Sequence, residues 1–361
     1  MKWPSHGGQP EALRESLGFP MSSDVIDFSA NINPLGPPTW MKKELGKHFT
    51  ELIKYPDPTY FKARKSLAFS EDLQPDQVLV TNGGAEAIFL IAKLFEGKQA
   101  IVVHPTFLEY ERACFHYHLK VKDAFFSLDE EFDLPIDKMI MECKTTDVMF
   151  LCRPNNPSGT IIKEETVRRL LIEGKKHNTY IVVDEAFVDF LPGEEASLSG
   201  LLSDYENLII LRSMTKMYAI PGLRVGYILA DKKIIKQAGD GQIPWSVNTL
   251  AANFIPGMVE DKLFLEKTKT WLQTELTFLR EELDKLNFYM SSTHVNFYLL
   301  RDREFPMETD LLFKHLLKAG IVARHTFNFK GLDGHFLRLA VRSSHENKVL
   351  LEALKNWRAK Q

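Results

Sequence analysis

Between residues 76 and 230 the chain alternates short unbroken apolar runs with longer stretches in which apolar positions recur every three or four residues. The runs fall at residues 77–81, 100–103, 148–152, 180–184, 208–211 and 225–229, and they are rich in Val, Ile and Leu. Strands buried on both faces look like this, because helices cover either side of a mostly parallel sheet. The stretch 163–177 sets Val167, Leu170 and Leu171 on one side of a predicted helix. This order predicts an α/β fold with ligands received at the carboxyl ends of the strands.

After residue 246 the texture changes. Leu272, Leu276, Leu279, Leu283 and Leu286 recur at helical spacing and predict a long amphipathic helix. A strand at 295–300, a helix at 309–319 stopped by Gly320, strands at 321–324 and 336–341, and a last helix from Glu346 follow. This segregated order predicts a small α+β domain over 246–361. Residues 1–49, with a short helix before Gly18 and a strand at 25–29, are expected to pack with it. Residues 50–245 are the expected large domain.

Composition mainly excludes. The 361 residues are 44% hydrophobic and 26% charged, as in ordinary globular chains. A net charge of −3 without a basic run gives no reason to expect a nucleic-acid partner. No apolar run approaches the roughly 20 residues that span a bilayer, so no membrane role is expected. Cys114, Cys143 and Cys152 stand in no metal-ligand spacing, so no metal is expected and a reducing compartment fits. Residues 1–12 lack the basic start and apolar stretch of a signal peptide, and the expected location is cytoplasmic.

Chemistry gathers at the strand ends. Asp184 and Glu185 interrupt an apolar run abruptly; a carboxylate there can hold a proton on a pyridine nitrogen or simply cap a loop. The turn Asn82-Gly83-Gly84-Ala85-Glu86 opens a helix whose free N–H groups suit a phosphate, although plain turn chemistry explains it as well. Ser213-Met-Thr-Lys216, followed by Arg224, sets an imine-forming amine beside a hydroxyl and a guanidinium.

Taken in order, several motifs carry a family resemblance over nearly the whole chain. They are Tyr55-Pro-Asp-Pro, Thr81 to Glu86, Pro105-Thr-Phe-Leu-Glu-Tyr110, Arg153-Pro-Asn-Asn-Pro-Ser-Gly159, Asp184-Glu-Ala-Phe187, Ser213 to Lys216, and Arg224. The sequence resembles the fold-type I pyridoxal-phosphate enzymes of the class I/II aminotransferase superfamily. The resemblance implies pyridoxal 5′-phosphate as cofactor, with Lys216 as its Schiff-base lysine and Asp184 on the pyridine nitrogen. It places Asn156 at the ring hydroxyl and the substrate carboxylate, and Gly84, Ala85, Ser213 and Arg224 at the cofactor phosphate. Tyr55 would reach that phosphate from a second subunit, implying a homodimer. Tyr110 is the preferred aromatic to stack on the ring, Phe107 the other choice, and core packing the competing role for both.

Many members carry a tyrosine where this chain has Phe187. That difference, His6-Gly7-Gly8, and the run from Phe28 to Gly36 look like the threonine-phosphate decarboxylases of cobalamin synthesis. A flexible start and a strand-to-turn exit are the plainer roles of the last two features. The histidinol-phosphate aminotransferases are the second resemblance. The first branch implies a small phosphorylated amino acid as substrate, its carboxylate on Arg338 and its phosphate on Arg324, His6, Gly7 and Asn31. His325 and Lys330 lie near in sequence and are weaker choices. A sensor without catalysis is disfavoured, since nothing before Tyr55 resembles a DNA-binding segment.

Overall fold

The computed structural model describes residues 6–19, 25–127, 132–193 and 196–360. Thirteen strands occur among them: β1 (Ile26–Asp27), β2 (Val78–Thr81), β3 (Gln99–His104), β4 (Lys120–Phe125), β5 (Val148–Cys152), β6 (Tyr180–Asp184), β7 (Leu208–Ser213), β8 (Gly226–Ala230), β9 (Phe288–Met290), β10 (Phe297–Asp302), β11 (Ile321–Val322), β12 (Arg324–His325) and β13 (Leu337–Ala340). β2 to β8 form one sheet in the order β2-β8-β7-β6-β5-β3-β4. All its neighbours run parallel except β8, which is antiparallel to both β2 and β7. This is the expected α/β architecture, a mostly parallel sheet with a smaller antiparallel sheet beside it.

The unbroken apolar runs have a direct cause. Side chains alternate across a strand, so each central strand feeds two cores. Met149 and Leu151 of β5 enter one apolar cluster, while Val148, Phe150 and Cys152 enter the other. The same alternation sends Asp184 to the face that carries Cys152 and Tyr110, and sends Glu185 to the opposite face. There Glu185 meets the buried Arg212 at 3.3 Å, directly behind the site. β4 escapes the apolar rule because it is an edge strand; five of its six residues are exposed.

Because β8 is reversed, its first residue pairs with the last residues of its neighbours, Gly226 with Thr81 and with Ser213. Arg224, two residues earlier, therefore arrives at the edge where β2 and β7 end. A Cβ at Gly226 would lie 2.7–2.9 Å from backbone atoms of Gly83, Gly84 and Arg212, so only glycine permits this approach. Gly226→Ala is expected to lower stability by about 1–3 kcal/mol through overpacking. It should also weaken retention of any phosphate held by the Gly83–Ala85 turn, and thermal melting with dialysis against buffer checks both.

In the second sheet the order is β12-β13-β10-β9, all antiparallel. β1 pairs in parallel with β11, Ile26 beside Ile321 and Asp27 beside Val322. The Phe28 carbonyl accepts the Ala340 N–H at 2.8 Å, continuing the link between the two ends of the chain. The leucine-spaced helix runs over Lys262–Lys285 and starts earlier than the spacing shows, because the Asp261 side chain caps it by accepting the Phe264 N–H. The strand expected at 321–324 is two short strands in two different sheets. Among the described residues, no helix is long and apolar enough to cross a membrane.

Candidate active site

One cavity opens where β2, β5, β6 and β7 end beneath the smaller sheet, and it is lined by side chains from both chain ends. At one end Gly83, at φ +74°, starts the helix Gly83–Leu94. The first-turn N–H groups of Gly84 and Ala85 have no helical partner and carry the positive end of the helix dipole. Ser213 faces this turn, its hydroxyl 2.9 Å from that of Thr215. Arg224 completes the cup with a left-handed backbone, φ +60°, and its guanidinium lies where a Gly83 Cβ would sit 2.5 Å away. A turn with free N–H groups, two hydroxyls and a guanidinium together could cradle a phosphate.

Lys216 lines the same cavity. Burial, then the nearby Arg338 and Arg224, press its ammonium down to about 8, which favours the neutral, nucleophilic amine. Asp184 accepts the Ala186 N–H on Oδ1 at 2.9 Å and the Tyr110 hydroxyl on Oδ2 at 2.6 Å. Burial raises its carboxyl, and the two hydrogen bonds act against that rise. Cys152 lines the same floor, but burial pushes its thiol up to about 12 and keeps it unreactive.

The two aromatic choices from the sequence differ in position. Tyr110 is buried, stacked 5.9 Å from Phe150, and spends its hydroxyl on Asp184. Phe107 is only half-buried, lines the cavity, and meets Tyr110 edge-on at 6.0 Å.

At the other end the cavity is cationic. Arg338 donates from Nη1 to Asn156 Oδ1 and from Nη2 to the Ser29 carbonyl, both at 2.7 Å, and its Nε has no partner. Arg324 donates to Asn328 Oδ1 at 2.7 Å. The two arginines stand directly opposite each other in the β12–β13 register. Burial and Arg324 press Arg338 down to about 9, and burial presses Arg324 to about 10. Asn31 is 3% exposed, with an unpartnered Oδ1. His6 and Gly7 close over this end, His6 Nε2 lying 2.9 Å from Glu109 Oε1. Phe187 packs edge-on against Phe297 at 4.7 Å and presents only ring carbons to the cavity.

His6, Gly7, Asn31, Gly84, Ala85, Tyr110, Asn156, Asp184, Ser213, Lys216, Arg224, Arg324 and Arg338 thus converge on one cavity. His325 and Lys330 do not line it: His325 bonds Asp310 at 2.8 Å, and Lys330 bonds Asp123 and Glu111. Tyr55 lies elsewhere, 81% exposed, its ring 4.9 Å from that of Trp245. Sequence reasoning missed Ser29, Thr215 and Asn328. Thr215 had a signal, two residues from Ser213 and one from Lys216, whereas Asn328 depends on a loop path that no local pattern encodes.

A family model described as aminotransferase class I and II matches residues 23–355. The chain is 35% identical to a threonine-phosphate decarboxylase of Salmonella typhimurium, covering 98% of this chain and 96% of that one. It is 31% identical to a histidinol-phosphate aminotransferase of Caldanaerobacter subterraneus, covering 95% and 97%. Among solved structures, a histidinol-phosphate aminotransferase from Clostridium acetobutylicum superposes with a TM-score of 0.87 at 31% identity, over 92% of this chain and 99% of that one. An L-threonine-O-3-phosphate decarboxylase from Porphyromonas gingivalis gives 0.79 at 28% identity, over 91% and 98%.

Proposed function

The chain belongs to the aminotransferase class I and II family, and from that premise we propose that it decarboxylates L-threonine O-3-phosphate to 1-amino-2-propanol O-2-phosphate and carbon dioxide, a step of cobalamin biosynthesis. The cofactor is pyridoxal 5′-phosphate, and the residues present fit it. The Gly83–Ala85 turn, Ser213, Thr215 and Arg224 would hold its phosphate, Asp184 its ring nitrogen and Lys216 its aldehyde carbon. Phe107 takes the place against the ring face, because Tyr110 is committed to Asp184.

The observation that supports this substrate is the facing pair Arg324–Arg338. Like charges directly opposite in a sheet repel, and burial magnifies the repulsion. Asp184 is the only acid lining the cavity among the described residues, against Lys216 and three arginines. A ligand carrying both a carboxylate and a phosphate complements this cationic end. The carboxylate takes the planar fork of Arg338, and the phosphate takes Arg324 with His6, the Gly7 backbone and Asn31.

Bound pyridoxal phosphate supplies a π system that accepts the electron pair of whichever Cα bond stands perpendicular to the ring. The protein's task is orientation. Arg338 and Arg324 fix the two anionic ends of the substrate and so choose the upright bond. Asn156 turns its oxygen to Arg338, which leaves its amide N–H groups for the ring hydroxyl. Asp184 would hold the proton on the ring nitrogen, and Lys216 Nζ would be the group that gives a proton to Cα.

A homodimer belongs to this reading, with Tyr55 of a second copy at the phosphate. Tyr55 is exposed with its ring 4.9 Å from that of Trp245, and Ile53 and Ile243, each two residues from one of them in sequence, are exposed as well. The likeness to histidinol-phosphate aminotransferases supports a second reading, amino transfer from a phosphorylated amine. One assay separates them. Release of labelled carbon dioxide from threonine phosphate without 2-oxoglutarate is expected; turnover of histidinol phosphate alone, with 2-oxoglutarate required, would overturn the decarboxylase.

A further inference from the structure

We infer that Glu109 and Glu111 are positioning residues that tie down, separately, the two chain segments roofing the substrate end of the cavity. Both sit in the first turn of the helix Glu109–His116. Two residues apart on an α-helix means about 200° of rotation, so their carboxylates leave the helix in opposite directions. One short element can therefore hold two segments that do not belong to each other.

Glu109 holds the N-terminal arm. Its Oε1 lies 2.9 Å from His6 Nε2, and its side chain is only 9% exposed. Beyond His6 the arm lies flat on Ser29: the Gly8 N–H donates to Ser29 Oγ at 2.9 Å, and a Gly7 Cβ would overlap the Ser29 carbonyl. That carbonyl is the acceptor of Arg338. The arm is thus fastened to the large sheet's helix at His6 and to the smaller sheet's surroundings at Gly8.

Glu111 holds the loop after β12. Lys330 leaves that loop and donates to Glu111 and, at 2.9 Å, to Asp123 at the sheet edge. Immediately before it, Asn328 bonds Arg324 and Phe329 lies under the Arg324 guanidinium at 5.5 Å. His104, Glu111 and Asp123 bring their ligand atoms within 4.8 Å of one another, as a metal site would. Here the Lys330 ammonium meets both carboxylates, so the positive charge that the cluster draws comes from the loop itself. Fixing Lys330 fixes the residues that shape the Arg324 pocket.

The test uses the pyridoxal-phosphate holoenzyme and four variants: Glu109→Gln, Glu111→Gln, Lys330→Met and Lys330→Arg. Hydrogen exchange followed by mass spectrometry reads peptides spanning residues 6–17 and 324–336. Glu109→Gln is expected to speed exchange roughly tenfold in the first peptide alone. Glu111→Gln and Lys330→Met should do so in the second alone, and Lys330→Arg should restore protection. With threonine phosphate, KM rises roughly five- to twentyfold while kcat stays within about twofold, since anchoring and not chemistry is lost. Unchanged exchange in the segment opposite each carboxylate overturns the inference, and so does loosening of both segments together in every variant. The exchange measurement needs no substrate, so its failure is distinguishable from failure of the proposed reaction.

Discussion

Lys216→Ala is expected to lose turnover by a factor on the order of 10⁵ or more, while the chain folds and still binds pyridoxal phosphate. The proposed phosphate cradle of Gly84, Ala85, Ser213 and Arg224 does not involve the lysine, so retention of the cofactor rests on groups that remain. What disappears is the amine that binds the aldehyde and returns the proton to Cα. The absorbance band of the lysine-bound cofactor should revert to that of the free aldehyde; a variant that keeps this band, or full activity, sinks the assignment. The pH dependence has a definite sign. With the folded amine near 8 and an ordinary lysine at 10.5, the unfolded chain holds a proton that the folded one has dropped. Stability of the cofactor-free protein therefore rises with pH between those values and is lowest below about 8. The alanine variant should lack that slope, and cofactor capture by the wild type should quicken as pH rises to about 8 and level above it.

Arg338→Met is the second large effect. Losing a bidentate charge-assisted pair removes about 3–4 kcal/mol of substrate binding in the reacting state, so kcat/KM falls on the order of 10²–10³. Stability should move far less, because two consequences oppose each other. Removing one cation relieves its repulsion with Arg324, while Asn156 Oδ1 and the Ser29 carbonyl each lose a donor, costing about 1–3 kcal/mol where they stay dry. Arg338→Lys keeps a charge but not the fork, and should recover only part of the activity. Melting temperature and kcat/KM, measured together, check the prediction. A methionine variant within threefold of wild type would remove Arg338 from the site.

Much of this is legible in the sequence, and the physical reason differs by element. Strands covered on both faces declare themselves, so β5 and β6 match residues 148–152 and 180–184. β4 hid because an edge strand with exposed lysines carries no apolar signal. The cofactor end was readable because it hangs on short motifs next to those strands. The substrate end was readable only through resemblance, since His6, Asn31, Arg324 and Arg338 become neighbours by pairings across the whole chain. The hydrogen bond from the Tyr110 hydroxyl to Asp184 joins residues 74 apart, which residue order cannot carry. Lys330 was a weaker choice from its place in sequence, and its two carboxylate partners lie more than 200 residues away.

The two-residue pairing of β1 with β11 also sets a timetable for the chain's own synthesis. Asp27 cannot meet Val322 until the ribosome has added all the residues between them. At about 5–20 residues per second, the arm bearing His6 and Asn31 waits roughly 15–60 s for its partner strand. The large sheet, whose strand ends carry the proposed phosphate cradle, is complete at Ala230, long before that moment. A nascent chain can thus acquire its cofactor cradle early, and becomes selective for a substrate only when its first and last segments are finally joined.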